Sequence, residues 1–118
     1  MKEFLFLDDR FKDGVARTIA VTRLGHAIVS WKERVDPDVL EFLLKRYLDN
    51  GRKDDYWAIV NSLHDLYNAS KASLKTLSQY PETQGLAAAI RAGLPPEDLD
   101  LYSNIGVTQD ARIVAYDI

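Results

Sequence analysis

Val15-Ala16-Arg17-Thr18-Ile19-Ala20-Val21-Thr22-Arg23-Leu24-Gly25-His26-Ala27-Ile28-Val29-Ser30-Trp31-Lys32 is the stretch on which the fold turns, because seven of its 18 residues are β-branched and its one glycine sits near the middle. Branched side chains fit an extended, pleated backbone, and glycine accepts the positive φ of a tight turn. The stretch therefore predicts a β-hairpin turning across Leu24-Gly25. A two-residue loop there opposes Arg23 to His26, Val21 to Ile28, Ile19 to Ser30 and Arg17 to Lys32 on one face. The other face then carries Thr18, Ala20, Thr22, Ala27, Val29 and Trp31. Arg17 directly opposite Lys32 is repulsive unless an acid or a bound anion lies between them.

Upstream of the hairpin, residues 2–8 include the apolar run Phe4-Leu5-Phe6-Leu7. As a strand it puts large side chains on both faces, which predicts an interior position. Residues 10–14 read as a loop. Downstream, Asp36-Pro37-Asp38 has the signature of a helix start, with an acid as N-cap and proline at the first helical position. Leu40, Leu43, Leu44, Tyr47 and Leu48 follow with helical spacing, and Asn50-Gly51 stops the pattern, so residues 37–49 are predicted helical. Val39 and Phe42 fall off this stripe.

A second periodic run begins near Asp54 and Asp55, with Tyr56, Val60, Leu63, Tyr67, Ser70, Leu74 and Leu77 spaced alternately four and three apart. Asn68 and Ser70 can each cap a new helix, which gives this rod a natural break before Pro81 ends it. An alanine-rich helix is predicted over 83–92, one further turn after Pro95-Pro96, and a last strand over 111–117. The order is β-β-β-α-α-α-β: an α+β two-layer sandwich in which a mainly antiparallel sheet of three to four strands carries helices on one face. With no repeat, low-complexity tract or linker, residues 1–118 are expected to form a single domain.

Composition narrows the functional classes. Apolar residues make up 47% and charged residues 28% of the chain, ordinary globular usage. With no cysteine there is no disulfide, thiol nucleophile or thiolate metal site. No apolar run approaches the roughly 20 residues that span a bilayer, and no signal peptide is evident, so the expected setting is cytoplasmic with no membrane partner. The net charge of −3 is unevenly distributed. Residues 10–34 hold six bases (Arg10, Lys12, Arg17, Arg23, Lys32, Arg34) against two acids (Asp13, Glu33), whereas residues 36–66 hold seven acids against four bases. Such asymmetry steers charged partners.

No glycine loop of a phosphate-binding type and no nucleophile elbow occurs, so no cofactor is expected. His26 and His64 lack a ligand-spaced neighbour, which predicts no metal site. Strand-end acids supply the enzymatic alternative: Asp8 with Asp110 or Asp117 as general acid and base, Asp9 pointing the opposite way from Asp8. The basic hairpin supplies a nucleic-acid alternative through Arg17, Arg23, Lys32 and Arg34. The favoured reading is non-enzymatic. Phe42, Trp57, Tyr80 and Tyr102 are aromatics at stripe edges or helix ends, and such residues dominate binding hot spots. A small acidic protein-binding or regulatory module follows, a subunit, inhibitor or immunity-type protein, whose helical surface meets a protein partner or a second copy through Phe42, Trp57 and His64.

Overall fold

The 15–32 stretch does pair with itself: β1 (Thr18–Leu24) and β2 (Ala27–Lys32) form an antiparallel two-stranded sheet. This is seen in a computed structural model that describes residue 11 and residues 13–116. The predicted N-terminal strand lies outside those residues. The loop is Gly25-His26, one residue later than predicted, because Leu24 pairs with Ala27 and the positive φ of 61° falls on Gly25 as first loop residue. Mirror-image hairpin turns demand that conformation at that position.

Arg23 consequently faces Ile28 rather than His26, and Val21 faces Ser30. The slip is by two residues, so the predicted membership of each face survives between Ala20 and Trp31. A bulge between Thr18 and Ala20 then brings Thr18, not Arg17, opposite Lys32. Arg17 is paired with Glu33 instead: the Glu33 amide donates to the Arg17 carbonyl at 2.8 Å, and the Arg17 amide donates to Glu33 Oε1 at 2.8 Å. The repulsive pair is thus avoided by an acid.

A second sheet is built from β3 (Val35–Asp36), β4 (Ile105–Thr108) and β5 (Ile113–Ala115), antiparallel in the order β3-β4-β5. On the far side of β5, Val15 bridges Ala115 in parallel, fixed by Ala16 N–H to the Ala115 carbonyl (2.9 Å) and Ala115 N–H to the Gly14 carbonyl (2.8 Å). The fold is therefore α+β with small, mainly antiparallel sheets, and the hairpin forms a sheet of its own. β5 is the core of the predicted last strand. β3 and β4 are short elements that residue patterning did not reveal.

Helix α1 (Val39–Arg46) begins later than predicted. Asp36 is committed to β3, where its carboxylate accepts the Asp38 amide at 2.9 Å, and the true N-cap is Asp38, which accepts the Glu41 amide at 3.2 Å. Its buried row is Val39, Leu43 and Tyr47, while Leu44 is 37% exposed. The helix has turned its Val39 side inward because β4 packs there. After one 3₁₀ turn (Leu48–Asn50), α2 runs over Lys53–His64. The predicted break occurs: a second 3₁₀ turn (Leu66–Asn68) rotates Leu66 into the core and leaves Tyr67 outside, and Ser70 caps α3 (Lys71–Ser78) by accepting the Ser73 amide. Helix α4 (Gln84–Arg91) follows. Leu43, Ile59, Leu63, Leu66, Leu77, Leu86, Ile105 and Ile113 meet in one core, each at most 1% exposed.

Two features lock the layers. In the turn between α3 and α4, Glu82 is only 3% exposed; its carboxylate accepts a hydrogen bond from the Tyr47 phenol at 2.6 Å and pairs with Arg46 Nε, while its carbonyl accepts the Ile113 amide at 2.8 Å. One residue thus ties α1 and β5 to the turn. At the other end of that turn Gly85 abuts Asp13, whose carbonyl oxygen would lie 2.1 Å from a Cβ placed there. Removing the Glu82 carboxylate strands a buried phenol, although half-exposed Arg46 can rehydrate. Glu82→Ala is expected to cost about 2–3 kcal/mol in urea unfolding. Gly85→Ala forces backbone apart and is expected to cost about 1–3 kcal/mol. Unchanged midpoints would disprove the locking roles.

Candidate functional site

An aromatic patch lies on the outer face of α2. Trp57, Asn61 and His64 follow one another at spacings of four and three, so they share a face turned away from Ile59 and Leu63, with buried Val60 at its edge. Trp57 is 46% exposed and meets Tyr56 edge-on, with ring centroids 5.0 Å apart. His64 is exposed and faces Tyr102, itself 67% exposed, at a centroid distance of 5.6 Å; the phenol oxygen is 3.4 Å from Nε2.

The loop that carries Tyr102 is tightly ordered by its own polar groups. Leu99 and Leu101 are buried to 4% exposure and anchor it to the core. Asn104 accepts the Asp100 amide at 2.8 Å and donates to the Asp98 carbonyl at 2.6 Å, and Asp100 accepts from Ser103 Oγ at 2.6 Å. Tyr102, between buried leucine and bound serine, is held outward over His64. Glu97, Asp98 and Asp100 around it are all exposed, and residues 92–111 contain four acids (with Asp110) and no base. The patch is therefore aromatic in the middle and anionic at its rim.

The predicted protein-binding residues separate into two places. Trp57 and His64 share the α2 face. Phe42 lies instead in a groove of about 600 Å³ between α1 and the β3-β4 pair, lined also by Arg34, Asp36, Val107 and Gln109, with the Arg46 guanidinium 5.6 Å from its ring centroid. Tyr102 is the residue that spacing alone could not join to His64, since the two are 38 positions apart in the chain. Tyr80 turns away from the surface patch: it is half-buried, crosses Tyr47 edge-on at 5.8 Å and donates to Asp55 at 2.6 Å. Burial and that bond push the Tyr80 phenol up to about 12, and the same bond, with the Arg52 guanidinium, holds the Asp55 carboxyl below its usual range.

The basic residues of the hairpin do not converge on one unpaired cationic face. Arg17 lies 3.8 Å from Asp13 and beside Glu33, and Arg112 grips both Glu33 oxygens at 2.9 Å. Arg23 and Arg34 are exposed and make no ion pair among the described residues; Lys32 lies opposite Thr18 in the ladder. Three large apolar side chains of the ribbon are bare, with Leu24 60%, Ile28 62% and Trp31 57% exposed.

Of the strand-end acids, Asp8, Asp9 and Asp117 lie outside the described residues. Asp110 is bound by the Thr108 hydroxyl and by Arg112 Nε at 3.0 and 3.1 Å. The Thr108 bond first, then the guanidinium, bring its carboxyl down to about 2. A carboxylate so stabilised in the ionised form is a poor proton donor or acceptor near neutrality. Among the described residues no three histidine or acidic side chains gather as a metal site would need, and no helix is long and apolar enough to cross a membrane.

Compared with protein-family models, curated proteins and solved structures, the chain matches none. Function accordingly has to be read from the site itself.

The Asp110 geometry has a pH signature. Its folded pKa lies below the usual 3.8, so its contribution to stability is full above that value and disappears as pH falls through about 2. Asp110→Asn should lower the urea midpoint at pH 7 and leave it unaltered below about pH 2. A loss that is the same at every pH would show that the charge is irrelevant.

Proposed function

We propose that this chain is a small acidic protein-binding module of the cytoplasm, a subunit or regulator rather than an enzyme, and that it meets its partner through the helical patch of Trp57, His64 and Tyr102. One observation carries the reading: three aromatic rings stand exposed on elements that are themselves firmly anchored, with acids at the margin. Rigid aromatic side chains bury large areas at small cost in conformational entropy, and a polar rim around an apolar centre is the usual anatomy of a protein interface. The absence of cysteine suits a reducing compartment. Phe42 contributes a separate apolar groove next to Arg34 and is not required for this patch.

A nucleic-acid role draws less support. Two of its candidate bases, Arg23 and Arg34, are exposed without ion pairs among the described residues, but Arg17 stands beside Asp13, and Glu33 interrupts the row. Such interruption weakens the counterion release that dominates binding to phosphate backbones.

The double variant Trp57→Ser/Tyr102→Ser tests the patch. Both side chains are outside the core, so unfolding free energy should change by no more than about 1 kcal/mol. Capture of partner protein from native extract should fall by about 30-fold or more, as expected when a hot-spot aromatic worth about 2 kcal/mol is removed. Equal recovery of the same proteins by wild type and variant would refute the assignment.

A further inference from the structure

We infer that the partner of the aromatic patch is the β1-β2 ribbon of a second copy of this chain. The inference rests on the proposed role of the patch and specifies its occupant. Both halves of the required interface are present on one molecule. The ribbon is a two-stranded sheet separate from the β3-β4-β5 sheet, and none of its described side chains belongs to the hydrophobic core. An isolated two-stranded hairpin is marginal in water unless its apolar face is covered. Leu24, Thr22, Ala27, Val29 and Trp31 share one such face by register, and it carries no charge.

Charge selects the occupant. Arg23 near the tip and Arg34 beyond the base of the ribbon are exposed and make no ion pair among the described residues, and His26 sits in the loop. The patch on α2 is bordered by Glu97, Asp98 and Asp100 beside Tyr102, and by exposed Asp54 one helical turn from Trp57. A ribbon with one uncharged apolar face, Arg23 on its reverse side near the tip and Arg34 beyond its base, therefore complements in charge an aromatic patch flanked by acids. Copies of one chain bring the two together at every encounter, with steering that depends on ionic strength. The contact is between two different surfaces, so reciprocal docking closes a two-fold dimer and non-reciprocal docking builds a chain of molecules.

Sedimentation of the purified chain over a concentration series, at low and high salt, tests this directly. Wild type should associate, and raised salt should weaken association about 10-fold or more. Trp31→Ser and, separately, Tyr102→Ser should each weaken it by about 10-fold or more. Mixing those two variants should recover one heterodimer, because each keeps the half that the other lacks. Arg23→Glu alone and Glu97→Lys/Asp98→Lys alone should weaken association, and all three changes in one chain should restore it. Urea midpoints matching wild type confirm that each variant is folded, and the charge reversals report independently of any effect of Trp31→Ser on the ribbon itself.

A monomer at every concentration overturns the inference; if capture of another protein still depends on Trp57 and Tyr102, the protein-binding role stands without it. Association without complementation on mixing overturns it in favour of ribbon pairing with ribbon. A monomer that binds oligonucleotides in a salt-sensitive manner lost in Arg23→Glu overturns it in favour of a nucleic-acid arm.

Discussion

Glu82 is a carboxylate that folding has taken out of water, and the layered body of the molecule is arranged to keep it satisfied. Its two oxygens are engaged by Arg46, the last residue of α1, and by Tyr47, which caps that helix, and its backbone carbonyl by β5. A buried charge is tolerated only when its hydrogen bonds are complete, so the turn between α3 and α4 can sit in one place relative to α1 and the sheet. Tyr47 transmits the constraint. Its phenol, pushed up by burial and by the bond to Glu82, remains a proton donor throughout the physiological range, and its ring is flanked by Tyr80 at 5.8 Å and by the Arg52 guanidinium at 4.6 Å. Through Asp55, which accepts from both Tyr80 and Arg52, the same network reaches the first turn of α2. The helix bearing the aromatic patch is thus oriented from its buried side by polar groups that never face the patch.

Close backbone contact serves the same end in the sheet. A Cβ on Gly106 would lie 2.2 Å from the Val35 side chain and 2.8 Å from the Asp36 carbonyl, which lets β3 lie against β4 at the entrance to α1. Only a two-residue strand is needed there, because Asp36 immediately turns to prepare the cap at Asp38.

Much of this was legible from residue order alone, and the misses have physical causes. The hairpin was readable because β-branched residues and one glycine act locally; its register was not, because the bulge at the start of β1 and the pairing of Arg17 with Glu33 are settled across the strands. Helix α1 announced itself through Asp-Pro-Asp, yet its first turn was displaced because Asp36 had a competing role in the sheet. The inward face was judged from leucine spacing, whereas packing against β4 favoured Val39 over Leu44. β4 gave no alternation to detect, all four residues being buried, and its glycine reads as a breaker until the neighbour it admits is known. Trp57 and His64 could be placed together by helical arithmetic. Tyr102 could be suspected only as an unassigned aromatic, because nothing in its local pattern announces a loop tied back by Asn104 and Asp100.

The separation of the ribbon from the core has a wider meaning for how this chain can change. None of the described side chains between Thr22 and Trp31 belongs to the core or to the polar network around Glu82, so this arm is separate from the packing that fixes the body. The body can therefore keep its packing while the described exposed positions of the arm vary.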